Sequence, residues 1–138
     1  MSAKDLFHDL VKTALQNEGW QITHDPYRIE LEFTDLLIDL GAEQILGATR
    51  GNQTIAVEIK SFLANSAITD FHVAIGQFIN YKLALEDIEP ERKLYLAVPA
   101  PIHQRFFGYA FIQKVITRNQ VPLIIYNNLK PEISQWID

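Results

Sequence analysis

Residues 54–62 read Thr54-Ile55-Ala56-Val57-Glu58-Ile59-Lys60-Ser61-Phe62. Ile55, Val57 and Ile59 are β-branched and fall on alternate positions, the period of a strand whose one face packs on apolar neighbours. Glu58 and Lys60 sit two apart, so they project from the other face, roughly 6.5–7 Å apart along the chain. Charges inside so apolar a strand are costly unless something pairs with them. The segment therefore predicts a central strand and also a reason for its polar pair.

Upstream, 35–41 alternates, with Leu36, Ile38 and Leu40 predicted on one face and Asp35, Leu37 and Asp39 on the other. Residues 28–33 alternate as well and predict a strand or hairpin arm. Residues 45–49 extend the sheet, and Arg50-Gly51-Asn52 reads as a hairpin turn. Ahead of these lies an amphipathic helix over 3–18, with Ser2 as N-cap, Gly19 after its end and Leu6, Phe7, Leu10, Val11, Ala14 and Leu15 on one face. A short strand at 20–23 follows and is broken at Asp25-Pro26.

Downstream, Ser66 is placed to cap a helix over 67–86, whose apolar stripe is Ile68, Phe71, Ile75, Phe78 and Ile79, extended by Leu83. A strand at 93–98 ends at Pro99. A helical segment over 102–118 is interrupted near Gly108, a strand follows at 121–126, and 127–138 carries no clear pattern. Helix, strands, helix, strand, helix, strand predicts an α/β (α+β) fold, a mixed β-sheet flanked by helices. With no internal repeat or linker, residues 1–138 are expected to form one domain. At this length roughly two thirds of the unfolded chain's surface can be buried, enough for a core without covalent staples.

Composition narrows the chemistry. There is no cysteine, which excludes disulfides, thiolate zinc sites and a cysteine nucleophile. The histidines, at 8, 24, 72 and 103, have no pair at metal-ligand spacing, which argues against zinc. The first residues lack a basic segment followed by an apolar run, and no stretch approaches the ~18 apolar residues of a membrane span. A cytoplasmic location without membrane attachment is expected. The net charge of −5 argues against tight electrostatic binding to DNA, although carboxylates that hold a divalent ion contribute to that sum.

If the Asp39 and Glu58 strands pair, two carboxylates and an ammonium converge. Asp39 and Glu58, with the carbonyl of Ile59, are the oxygen donors a hard cation such as Mg²⁺ or Mn²⁺ requires. Lys60 beside them is placed to orient a water and to stabilise charge at a scissile phosphate. The plainer reading of the same residues is a salt bridge on a solvated sheet face. On the following helix, Gln77 and Tyr81 lie four apart and share a face. They read either as site residues or as a polar glutamine beside a half-buried tyrosine. Asp9 and Glu18 on the first helix are candidates for an auxiliary acid or simply solvated carboxylates, and His72 reads as a packed or surface histidine.

This arrangement resembles the PD-(D/E)xK nuclease core, and Gln77 with Tyr81 resembles the Gln-x-x-x-Tyr element of its RecB-like branch. The resemblance is wider still. The blocks Thr23-His24-Asp25-Pro26, Ile38-Asp39-Leu40-Gly41-Ala42-Glu43, Ala56-Val57-Glu58-Ile59-Lys60-Ser61-Phe62, Ser66-Ala67-Ile68-Thr69-Asp70-Phe71-His72, Gly76-Gln77-Phe78-Ile79-Asn80-Tyr81 and Leu94-Tyr95-Leu96-Ala97-Val98-Pro99 look like the XisH family over nearly the whole chain. That resemblance implies a restriction-endonuclease-like fold. It also implies a role as a controlling factor in excision of the cyanobacterial fdxN element, a DNA segment removed by a site-specific recombinase during heterocyst development. It implies DNA, an XisI-type protein and the recombinase as partners. It does not imply cleavage: a regulatory module of the same fold that binds XisI, DNA or the recombinase is the alternative. Asp39, Glu58 and Lys60 match the nuclease signature, whereas Ile38 stands where the signature usually has proline. The aromatic run at 105–111 and the tail around Trp136 predict interface surface, and a homodimer is expected.

Overall fold

The computed structural model describes residues 2–45, 52–64 and 66–138. Its elements are α1 (Ala3–Asn17), β1 (Gln21–His24), β2 (Tyr27–Glu30), β3 (Asp35–Ile38), β4 (Leu40–Ile45), β5 (Asn52–Ile59), α2 (Ala67–Ile88), β6 (Lys93–Pro99), α3 (Ala100–Arg105), α4 (Ala110–Arg118), β7 (Leu123–Tyr126) and β8 (Ile133–Ile137). Six strands form one mixed sheet in the order β1-β4-β5-β6-β7-β8, and β2 with β3 forms a separate ribbon. β5, β6 and β7 run parallel, and the neighbours outside them are antiparallel. This is the mixed sheet with flanking helices that the pattern of elements predicts. The hairpin turn placed at 50–52 falls largely outside the described residues.

The two faces of the sheet bury different clusters. Ala56, Leu94, Leu96, Val98, Leu123 and Ile125 pack with Phe71, Ala74, Phe78 and Leu85 of α2 and with Ile112 and Ile116 of α4. Leu40, Ala42, Ile55, Val57, Ala97, Ile124 and Tyr126 pack with Val11 and Leu15 of α1. Each large side chain buried this way contributes about 1.5–3 kcal/mol. The alternation along β5 therefore assigns its faces: Ile55 and Val57 to α1, Ala56 to α2.

Both helix caps read from the sequence are present. The Ser2 hydroxyl accepts from the Asp5 amide in a reciprocal capping box, and Ser66 accepts from the Thr69 amide. Gly19, just past α1, takes the left-handed φ of 92° that glycine adopts without strain.

Several expectations are corrected. Residues 35–41 are not one strand. The chain bends at Asp39, so Ile38 joins the α2-side cluster and Leu40 the α1-side cluster instead of sharing a face. The cause is that β3 pairs with β2 in the ribbon, while β4 pairs with β1 and β5 in the main sheet. The 28–33 arm stops at Glu30, where a turn closed by the Leu31 amide to the Thr34 carbonyl (2.8 Å) returns the chain as β3. On α2, Ile68, Ile79 and Leu83 of the predicted stripe are exposed, and Ala74, Tyr81 and Leu85 are buried in their place. The tail is not patternless, since it supplies β8 on the sheet edge beside β7.

Candidate active site

The antiparallel ladder between β4 and β5 pairs Leu40 with Val57 and Gly41 with Ala56. One step further along the same register sets Asp39 opposite Glu58. Asp39 leaves the ladder at this point, and its Oδ2 accepts the Ile59 amide N–H at 2.7 Å. The bend that ends the expected strand is thus held by the aspartate's own carboxylate. Ile59 meets Asp39 through its amide; its carbonyl is the atom the sequence marked as a cation ligand.

Glu58 is 5% exposed, on the α2 face of β5. Its Oε1 lies 3.5 Å from the Lys60 ammonium, and Lys60 donates to Gln77 Oε1 on α2. The Tyr126 hydroxyl donates to the Lys60 carbonyl at 2.9 Å, and the Lys60 amide donates to the Ala97 carbonyl at 2.9 Å. The backbone of Lys60 is therefore held from both β6 and β7, while its side chain is held between Glu58 and Gln77.

Electrostatics single out Glu58. Burial and the neighbouring charge of Asp39 push its carboxyl up to about 8, against the opposing pull of Lys60. Tyr81 on α2 is buried near the same charges. Its hydroxyl is pushed above its ordinary range by burial, then by Glu58 and Asp39. Tyr126 is raised by burial and by Asp39. The structure thus brings Asp39, Glu58, Lys60, Gln77 and Tyr81 into one neighbourhood.

These residues fit a divalent cation on a point of structure. Glu58 Oε2 is buried and has no hydrogen-bond partner among the described residues. An acceptor left that way costs on the order of 1–3 kcal/mol or more, which a cation between the two carboxylates would offset. Among the described residues no group of three or more His, Asp or Glu side chains forms a cage. Two carboxylates suit Mg²⁺, which keeps several of its waters and binds few protein ligands.

A cleft of about 290 Å³ opens beside Asp39 and Ile59, lined also by Lys4, Asp5, Phe7 and His8 of α1 and by Ser61. Asp9 and Glu18, the acids considered on α1, do not line it. Asp9 is exposed, and Glu18 accepts from the Trp136 indole at 3.1 Å near the far end of the helix. His72 is exposed on α2. The α1 contribution missed by sequence reading is His8. No local pattern marked it, because the turn that delivers its partner Asp25 lies 17 residues away. A larger cavity, about 670 Å³ and lined by Phe78, Leu85, Arg92, Lys93, Ile116 and Val121, lies away from both carboxylates and shares no residue with this cleft.

No helix among the described residues is long and apolar enough to cross a membrane. No curated protein matches the chain. Two crystal structures do: an XisH family protein from Nostoc punctiforme PCC 73102, 47% identical, covering 97% of this chain and 100% of that one with a TM-score of 0.88, and a fdxN element excision controlling factor protein from Anabaena variabilis, also 47% identical, covering 97% and 99% with a TM-score of 0.87. The family model for the XisH protein matches residues 1–134, nearly the whole chain, and the chain belongs to the XisH family.

Proposed function

We propose that the protein hydrolyses phosphodiester bonds of DNA at a Mg²⁺- or Mn²⁺-dependent site. It would do so as a controlling factor in excision of a DNA element, the role named for its Anabaena variabilis relative. The observation that carries this reading is the buried, unpartnered oxygen of Glu58 beside Asp39 and Lys60. Asp39 and Glu58, with the Ile59 carbonyl, would hold the cation. When bound, it would neutralise the two carboxylates and polarise both the scissile phosphate and a water. Lys60 orients that water and stabilises charge growing on the phosphoryl oxygens. Gln77 fixes the Lys60 side chain, and Tyr126 fixes its backbone. Tyr81, a phenol whose proton is held more firmly by burial and then by Glu58 and Asp39, offers a hydroxyl at the edge of the substrate path. DNA, an XisI-type protein and the recombinase are the proposed partners, with a homodimer as the assembly.

One observation favours a second reading, a regulatory module of the same fold that binds and does not cut: the net charge of −5 opposes unaided binding to a polyanion. Lys60→Ala separates the two. In a nuclease, Mn²⁺-dependent cleavage of supercoiled, linear or branched DNA should fall by about 10³-fold or more, with DNA affinity nearly unchanged. In a binding module there is no cleavage to lose, and the slope of log affinity against log salt changes by about one unit. Wild-type protein that fails to cut any of these substrates with Mn²⁺ and XisI present would sink the nuclease reading.

A further inference from the structure

The α1 side of the site carries a histidine with no part in the reaction described above. His8 lines the cleft that contains Asp39. Its Nε2 lies 2.8 Å from Asp25 Oδ1, and the other Asp25 oxygen accepts from the Lys12 ammonium at 2.7 Å. Burial pushes the Asp25 carboxyl up, but Lys12 and His8 outweigh it and hold it below its ordinary value. An ionised Asp25 can only accept, so His8 Nε2 carries hydrogen. Nδ1 is the nitrogen turned away from Asp25, and it has no hydrogen-bond partner among the described residues. The helix that carries the ring is anchored on the sheet, since Phe7 packs edge-on against Tyr126 at 5.9 Å and Val11 and Leu15 of the same helix are fully buried.

The placement relative to Lys60 gives the histidine a side. Glu58, Lys60 and Gln77 approach from the α2 face of the sheet. His8 approaches from the α1 face, and Asp39 stands at the bend between them. In phosphoryl transfer the attacking and leaving oxygens lie roughly in line on opposite sides of phosphorus. If Lys60 serves the attacking water, the opposite side belongs to the leaving oxygen.

We propose that His8, oriented by Asp25, is the leaving-group acid of this site. The proposal rests on the nuclease reading and deepens it. The water oxygen forms a new bond to phosphorus and gives up one proton to solvent. The bond from phosphorus to the bridging strand oxygen breaks with its electron pair on that oxygen. With both ring nitrogens of His8 protonated, the oxygen takes the Nδ1 proton, the neutral ring keeps its Nε2 hydrogen on Asp25, and solvent returns a proton to Nδ1. Lys4, Asp5, Lys12, Asp25 and Asp39 are the charged groups around this step.

The test uses two oligonucleotides in Mn²⁺, one ordinary and one with sulfur replacing the leaving bridging oxygen, because a thiolate departs without protonation. His8→Gln should slow cleavage of the ordinary strand by about 10²-fold and that of the sulfur strand by less than about 3-fold. Asp25→Asn, which keeps the shape of the pair, should slow the ordinary strand by about 10-fold with the same rescue. Thermal melting of both variants shows that they are folded, and Mn²⁺ titration of metal-dependent melting should be unchanged by His8→Gln. Equal losses on both strands, or a weakened Mn²⁺ midpoint, would overturn the leaving-group role. A wild type that cuts both strands and a His8→Gln variant that matches it would overturn this proposal alone. A wild type that cuts neither overturns this proposal together with the nuclease reading.

Discussion

Glu58 holds the sharpest conflict in the molecule, and the conflict sets a pH dependence. Its folded carboxyl is pushed up to about 8, above the ordinary 4.5. Between those values the native state holds a proton that the unfolded chain has released. The group's cost is therefore absent below about pH 4.5 and grows as pH rises towards 8. Glu58→Gln keeps the shape and removes the titration. In chelator at pH 7 the variant should be more stable than wild type by about 2–3 kcal/mol, and near pH 4 the two should converge. Denaturant melts at the two pH values check this. Mg²⁺ should raise the melting temperature of wild type more than that of the variant. At this scale the carboxylates and Lys60 were legible, because charge inside a β-branched run has few explanations. His8 and Asp25 were not, because nothing local joins two side chains separated by a helix and a strand.

The elements that carry these residues are held by two close contacts that no periodicity reveals. Gly41, on β4 two residues after Asp39, pairs with His24 of β1. A Cβ built there would stand 2.9 Å from His24 Nδ1 and 2.9 Å from Tyr27 Cδ2. Gly41→Ala should therefore cost about 1–3 kcal/mol through overpacking. The shift it forces at Asp39 should also weaken Mn²⁺ binding, as read by metal-dependent melting. The second contact anchors the ribbon. Arg92, almost fully buried, donates to the Ile55 carbonyl at 2.8 Å and to Glu89 at 3.0 Å, and its guanidinium lies 4.7 Å from the centre of the Tyr27 ring. Tyr27 donates to Glu89 at 2.6 Å, which ties β2 to the end of α2. Arg92→Met should destabilise by about 2–4 kcal/mol, since it leaves the buried Ile55 carbonyl without its Arg92 donor and Glu89 with Tyr27 but without its cationic partner, and chemical denaturation measures it. The break between β3 and β4 escaped the sequence for a related reason. Alternation through Asp35–Leu40 is continuous as text, and only competition between two partner sheets shows where the chain must turn.

Across the whole molecule, the candidate site sits where β5 leaves the sheet, and the far edge is closed by a strand the sequence did not announce. Residues 133–137 are too short and too mixed in polarity to signal a strand without their partner, and the pairing with β7 is what organises them. Trp136, in the tail expected to mark an interface, is partly buried and makes contacts within the chain. It stacks on Trp20 at 5.8 Å, meets Tyr95 edge-on at 5.2 Å and donates to Glu18 at 3.1 Å. The next turn of chain is tied too, since Asp138 accepts from Lys93 at 2.8 Å and from the Tyr95 hydroxyl at 2.7 Å. The clasp therefore joins the end of α1 to the β8 edge and shares no residue with the Asp39 cleft. Trp136→Ala removes a partly buried indole and its stacking partner's cover, a loss of about 2–3 kcal/mol. For a chain of this size that corresponds to a melting temperature lower by about 8 °C. Because the carboxylates and Lys60 are held by β4, β5, β7 and α2 rather than by β8, the Mn²⁺ midpoint at 25 °C should not move. A Trp136→Ala variant that melts early and keeps its metal response separates the edge strand, as scaffold, from the site. A variant that loses both would show that α1, released at its far end, no longer presents its residues to the cleft.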